Sequence, residues 1–171
     1  STRILFALDE RFPEPPFLAS DPKVAAMQRR LEDWADESFF WYWSQWRHMV
    51  AAREEHQARL ASYRFSWLQP TTWFESLSKV AAPGPDPSRE RFLLGELDRR
   101  MDDLVGWLGA RAYFYADEPS MGDLAVYAML RIVREGAFGE ARDGLAQRPA
   151  LVSHMARLEQ ATGASPTDGA A

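Results

Sequence analysis

From Leu124 to Val133 the chain carries a single charge, Arg131, and neither glycine nor proline. A helix that is apolar over almost its whole circumference has no face to give to water, so other elements must enclose it. Immediately before it stand Ser120, Met121, Gly122 and Asp123. Ser120 is placed to cap the free N–H of Asp123, and the Asp123 carboxylate can reach back to the N–H of Ser120. This is a capping box with Asp where Glu or Gln is usual. Loss of either side chain is expected to cost on the order of 0.5 to 2 kcal/mol. The sequence therefore predicts a central buried helix with a fixed starting point.

The remaining segments supply the helices that would enclose it. Ile4, Leu5, Leu8 and Phe12 share a stripe at helical spacing, opposite Arg3, Asp9, Glu10 and Arg11, and Pro13-Glu14-Pro15-Pro16 ends that helix. Asp21-Pro22 reads as an N-cap followed by proline at the first helical position. From Lys23 to about Arg47 no glycine or proline interrupts, and Val24, Met27, Leu31, Trp34 and Ser38 line one face. After Ser38 the stripe widens through Phe39, Phe40, Trp41, Tyr42, Trp43 and Trp46, which predicts a helix end held between two surfaces. Met49 to Leu68 is a further helix or a continuation, and Thr72 to about Val80 a short one opened by a capping-box pattern. Asp86-Pro87 repeats the helix-start signal, with Leu93, Leu97, Met101, Leu104 and Leu108 as a clean stripe. Tyr113 to Tyr115 is expected as a short extended link. Helices around Phe138 to Leu145 and from Pro149 to about Ala161 complete the set, and residues 163–171 are expected as a flexible tail. No strand signal or internal repeat appears, so the fold class is all-α: a helical bundle around the central helix.

Composition narrows the function. The 171 residues hold 46% hydrophobic side chains, enough for a sizeable core. Twenty Lys plus Arg against 25 Asp plus Glu leave a net charge of -5, which argues against nucleic acid or an anionic membrane as partner. No apolar stretch approaches the ~20 residues a bilayer requires. The start, Ser1-Thr2-Arg3-Ile4, has neither a cationic leader nor a cleavage site. Cysteine is absent, which fits a reducing cytoplasm and removes thiolate chemistry from these residues. His48, His56 and His154 form no metal-binding spacing, so no metal site is expected, and no phosphate-binding glycine loop or nucleophile elbow occurs. Six of the seven tryptophans fall between Trp34 and Trp73, where a large flat surface is covered or bound.

The run from Tyr113 to Ala125, with its Ala116-Asp117-Glu118-Pro119 turn and its Ser120-x-x-Asp123 box, resembles the loop and capped central helix of the carboxyl-terminal domain of cytosolic glutathione transferases. Upstream, Ser1-x-x-Ile4-x-x-x-Leu8-x-x-x-Phe12-Pro13 looks like that family's last thioredoxin-like helix and its proline-rich linker. The resemblance runs from Ser1 to about Thr162. It implies three parts: residues 1–16 as the terminal helix and linker of a truncated thioredoxin-like domain, 17–162 as the helical domain, and 163–171 as the tail. In the family a serine at the opening of the thioredoxin-like helix holds the γ-glutamyl carboxylate of glutathione, a task suited to a helix N-terminus. Ser1 falls at that position; the competing reading is a plain helix N-cap. The catalytic residue would lie outside these residues, and the chain alone is expected to be inactive. The segment Met49 to Pro83 is longer and more aromatic than the family's usual link, which leaves the class open.

The resemblance also implies that the first long helix of the domain walls the site for a small hydrophobic electrophile, so Phe39, Trp43 and Trp46 are candidate substrate contacts. Packing between lobes or subunits is the reading favoured for most of these rings. Arg47 and His48 could meet an anionic group, but solvated positions suit both. Capping accounts for Ser120 and Asp123 without any acid–base role. The expected function is glutathione transfer by the complete protein, commonly a twofold dimer in this family. The alternative is a non-catalytic binding or scaffolding module of the same architecture.

Overall fold

A computed structural model describes residues 2–66, 84–136 and 139–163. The described residues are helical, with no strand among them. In chain order the helices are α1 (Thr2–Arg11), α2 (Pro22–Trp34), α3 (Phe40–Ser66), α4 (Pro87–Leu108), α5 (Met121–Glu135), α6 (Gly139–Ala146) and α7 (Pro149–Thr162). A π-helical turn, Ala35–Phe39, joins α2 to α3 without a break. The helix expected from Thr72 to Val80, Phe138 and the 164–171 part of the tail lie outside the described residues.

The helix starts follow local chemistry. Asp21 accepts from the N–H groups of Lys23 (2.7 Å) and Val24 (3.4 Å), with Pro22 at the first helical position. Asp86 repeats the device, accepting from the backbone N–H of Ser88 at 2.9 Å and its hydroxyl at 2.8 Å. α4 buries its whole expected stripe, Leu93, Leu97, Met101, Leu104 and Leu108. It packs against α3, α6 and α7.

The register of α2 departs from its expected stripe. Met27 is 43% exposed, while Ala25, Gln28, Leu31 and Glu32 are buried. Two polar side chains can occupy the inner face because each meets a donor there, described below. The π turn then holds one more residue per turn than an α-helix, which shifts the inner face so that Ala35, Phe39, Trp43, Trp46 and Val50 continue it. Trp34 and Phe39, five positions apart, bring their ring centroids within 6.1 Å across this turn.

α5 is the hub, packing against α2, the π turn, α6 and α7. Met121, Ala125, Val126, Leu130 and Val133 face inward. Enclosure is incomplete, however: Ala128 is exposed and Ile132 is 40% exposed. On the same helix an i,i+4 ion pair, Arg131 to Glu135 at 2.8 Å, has both side chains about one third accessible. The central helix thus has a wet edge that its near-uniform apolar letters do not reveal. The Tyr113–Tyr115 link is not extended either. It is bent, with Phe114 fully buried and Tyr115 in the left-handed region at φ 65°.

Candidate functional site

The densest polar constellation lies at the start of α5. Ser120, its N-cap, accepts from the Asp123 N–H at 3.4 Å, and Asp123 Oδ2 accepts from the Ser120 N–H at 2.9 Å and hydroxyl at 2.7 Å. This is the capping box read from the sequence. The other carboxylate oxygen does more than cap a helix. Asp123 Oδ1 accepts from the Phe114 N–H at 2.8 Å, which pins the bent 113–115 segment. It also lies 2.8 Å from His154 Nε2, on α7. A carboxylate oxygen only accepts, so the imidazole nitrogen facing it carries the hydrogen. Asp123 and His154 are both 0% exposed. The His154 ring is met edge-on by Phe114 at 5.0 Å and Tyr113 at 6.2 Å, and its Nδ1 has no hydrogen-bond partner among the described residues. Sealed from solvent, the pair ties the backbone of Phe114 and Ser120 to the His154 side chain of α7.

A second seam ties α1 and the linker to α2. Gln28 Oε1 accepts from the Ala19 N–H at 2.8 Å, Asp9 Oδ1 accepts from the Phe17 N–H at 2.8 Å, and the Met121 N–H donates to the Phe17 carbonyl at 2.8 Å. The linker is therefore fastened to the first residue of α5. Here α2 and α5 approach closely: a Cβ built on Gly122 would stand 2.8 Å from the Gln28 carbonyl oxygen and 3.2 Å from Leu31 Cδ2. Glycine is the residue this crossing admits. Further along α2, the Thr2 hydroxyl donates to Glu32, lying 2.9 Å from Oε1 and 3.1 Å from Oε2. Burial pushes the Glu32 carboxyl above its ordinary range. The Thr2 hydrogen bond opposes that rise, while Asp36 and Asp33 add to it.

The linker and the 116–120 turn face each other across a cleft of about 400 Å³. Gln28, Ser120, Asp117 and Glu118 line it together with Pro16, Leu18 and Pro119.

The aromatic concentration divides in two. Phe39, Trp43 and Trp46 are core residues at 1%, 3% and 0% exposure, and Trp43 and Trp46 pack with ring centroids 5.7 Å apart. They are enclosed by the core of this bundle itself, with no second lobe or subunit needed to cover them. Phe40 and Trp41 are 43% and 46% exposed. Between the two groups sits Tyr42, whose ring carries the Arg100 guanidinium at 3.5 Å from its centroid. Arg100 also donates to Ser38 Oγ at 3.0 Å and pairs with Glu96 at 3.0 Å. That hydrogen bond holds the Glu96 carboxyl below its ordinary range despite the opposing effect of burial.

Of the residues singled out from sequence, Ser120 and Asp123 are brought together, and Phe39, Trp43 and Trp46 share the core. Ser1 lies outside the described residues, and Arg47 and His48 are exposed. His154, Gln28 and Glu32 were not anticipated as buried polar partners. Their only sequence signal is a polar letter on an otherwise apolar helical face, and nothing local names the partner. Among the described residues no group of three or more His, Asp or Glu side chains could hold a metal ion. No described helix is long and apolar enough to cross a membrane. No protein-family model matches the chain, and no curated protein matches it either.

Proposed function

We propose that this chain is the helical domain of a glutathione-transferase-like protein, with α1 as the last helix of a thioredoxin-like lobe. The complete protein would transfer the glutathione thiol to a small hydrophobic electrophile. The observation that carries this reading is the buried Asp123 box, which joins the start of α5 to the preceding bent segment and, through Met121, to the linker behind α1. The arrangement fits a domain whose role is to hold one helix rigidly beneath a partner lobe.

The state of α1 supports the same reading. It contributes no fully buried residue, and Ile4, Leu8 and Phe12 are 66%, 38% and 57% exposed. Thr2 and Asp9, which bond to the bundle side, lie on another face. An amphipathic helix tied down by polar contacts with its apolar stripe uncovered suits a companion lobe on that stripe. In this proposal Ser1 holds the γ-glutamyl carboxylate of glutathione at the α1 N-terminus. The thiolate would attack the electrophile from the companion lobe, which supplies the activating residue. Phe39, Trp43 and Trp46 then back the acceptor wall, and the half-exposed Phe40 and Trp41 offer its open edges. Twofold dimerisation and a cytoplasmic setting belong to the same proposal.

The test is retention of the complete protein on immobilised glutathione, with elution by free glutathione. Failure of a folded protein to bind overturns the transferase reading. One observation favours a second reading, a non-catalytic binding or scaffolding module: the three candidate contact rings are closed into the core. A folded protein that is not retained would point there.

A further inference from the structure

The outward face of α4 departs in two ways from what a solvated helix favours. Gly95 and Gly106 stand exposed in its interior, where glycine is less stable than alanine, and a Cβ built on either would meet nothing within 4 Å. Nothing among the described residues therefore requires a glycine at these positions. The second departure is electrostatic. Beyond the Asp86 cap, the exposed charges at the two ends oppose the helix dipole: Arg89 and Arg91 lie near its start, and Asp102 and Asp103 lie in its last two turns. Phe92, three residues before Gly95, adds an apolar ring that is 59% exposed.

We propose that this face joins two copies of the chain, their α4 helices antiparallel about a twofold axis. Arg91, Gly95, Asp102 and Gly106 follow one another at four, seven and four residues, which keeps them within about 60° of arc along one side of the helix. Reversing a second copy against this line, about an axis level with residues 96–97, brings Arg91 of each copy opposite Asp102 of the other. Gly95, beside the axis, lets the two backbones approach closely. Phe92, next to it, supplies apolar surface to bury. Arg148 donates to Asp102 at 2.8 Å, yet the Asp102 side chain keeps 67% of its surface accessible, enough to meet a second cation. A parallel arrangement would set like charges against each other. The reversal of sign along α4 thus makes the face complementary to itself, as a twofold contact requires. The contact assigns a surface to the twofold assembly of the transferase reading but is argued from α4 alone, so a monomeric chain overturns it whether or not the complete protein is retained on glutathione.

The experiment is sedimentation velocity of the full chain over a concentration series, with helix content followed by circular dichroism. A dimer is expected. Gly95→Trp should convert it to a monomer of unchanged helix content, because the position is open in the single chain. Arg91→Asp and Asp102→Arg should each weaken the dimer at least about tenfold by setting like charges opposite one another, and the double variant Arg91→Asp/Asp102→Arg should recover most of that loss. A monomeric wild-type chain, a folded Gly95→Trp variant that dimerises as before, or a charge-reversed double variant no tighter than the single ones would each overturn the proposal.

Discussion

The first turn of α5 and the whole of α1 are both amphipathic helical segments with polar tethers, yet they are built on opposite plans. At α5, Asp123 gathers the N–H groups of Phe114 and Ser120, the Ser120 hydroxyl and His154 Nε2, and every one of these residues is buried. At α1, single hydrogen bonds run from Thr2 to Glu32 and into Asp9, and the largest apolar side chains stay in contact with water. Where a polar group is buried, removing its partner costs the full desolvation of what is left behind. At an exposed site, water replaces the lost contact. Stability in this molecule should therefore be larger at the start of α5, where every partner is buried, than at α1, where Glu32 alone of the tethering side chains is buried.

The sharpest way to break that contrast is Asp123→Ala. It strands the Phe114 and Ser120 N–H groups and His154 together, for a loss of about 3 kcal/mol or more. The thermal midpoint followed by circular dichroism should then fall by roughly 6 to 12 °C. Gly122→Ala comes next. Its added methyl meets the Gln28 carbonyl and Leu31, and overpacking of this kind costs about 1 to 3 kcal/mol, read in the same thermal scan. Ser120→Ala removes the N-cap while Asp123 keeps its other partners, so about 1 kcal/mol is expected from urea unfolding.

At α1 the effects should be small and of a different kind. Glu32 has a folded-state pKa above its unfolded value, so the folded chain binds that proton more tightly. Its contribution to stability is complete below the ordinary carboxylate value of 4.5 and is lost as the pH climbs through the raised one. Glu32→Gln should remove that decline, so thermal midpoints of the two proteins compared from about pH 4 to pH 8 should diverge most on the alkaline side, the variant being the more stable. Ile4→Ala, on the uncovered stripe, should change stability by no more than about 0.5 kcal/mol. A large loss there would mean that α1 is covered in solution and would erase the comparison.

Sequence legibility follows the range of the interactions. The Ser120–Asp123 box was readable because both partners lie within one turn, and the α4 stripe because its Leu and Met residues recur at helical spacing, although Glu90 and Glu96 are buried on the same helix. His154 was not readable as the partner of Asp123, since the contact spans 31 residues and depends on how α7 docks. The face of α2 was misjudged for a related reason. Periodicity counts apolar letters, but Gln28 and Glu32 earn their inward positions through donors on the linker and α1, while Met27 is left outside. The aromatic run looked apolar all round because two kinds of ring, the enclosed Phe39, Trp43 and Trp46 and the open Phe40 and Trp41, alternate too closely for spacing to separate them.

The π turn at Ala35–Phe39 sets the phase of everything downstream in α3. Each α-helical residue advances the chain by about 100° around its axis, so deleting one position within the turn would swing Trp43 and Trp46 toward water and carry Phe40 and Trp41 round with them. This stretch should therefore be intolerant of single insertions or deletions even where it accepts substitution, and lineages descended from this sequence should preserve its spacing more faithfully than its letters.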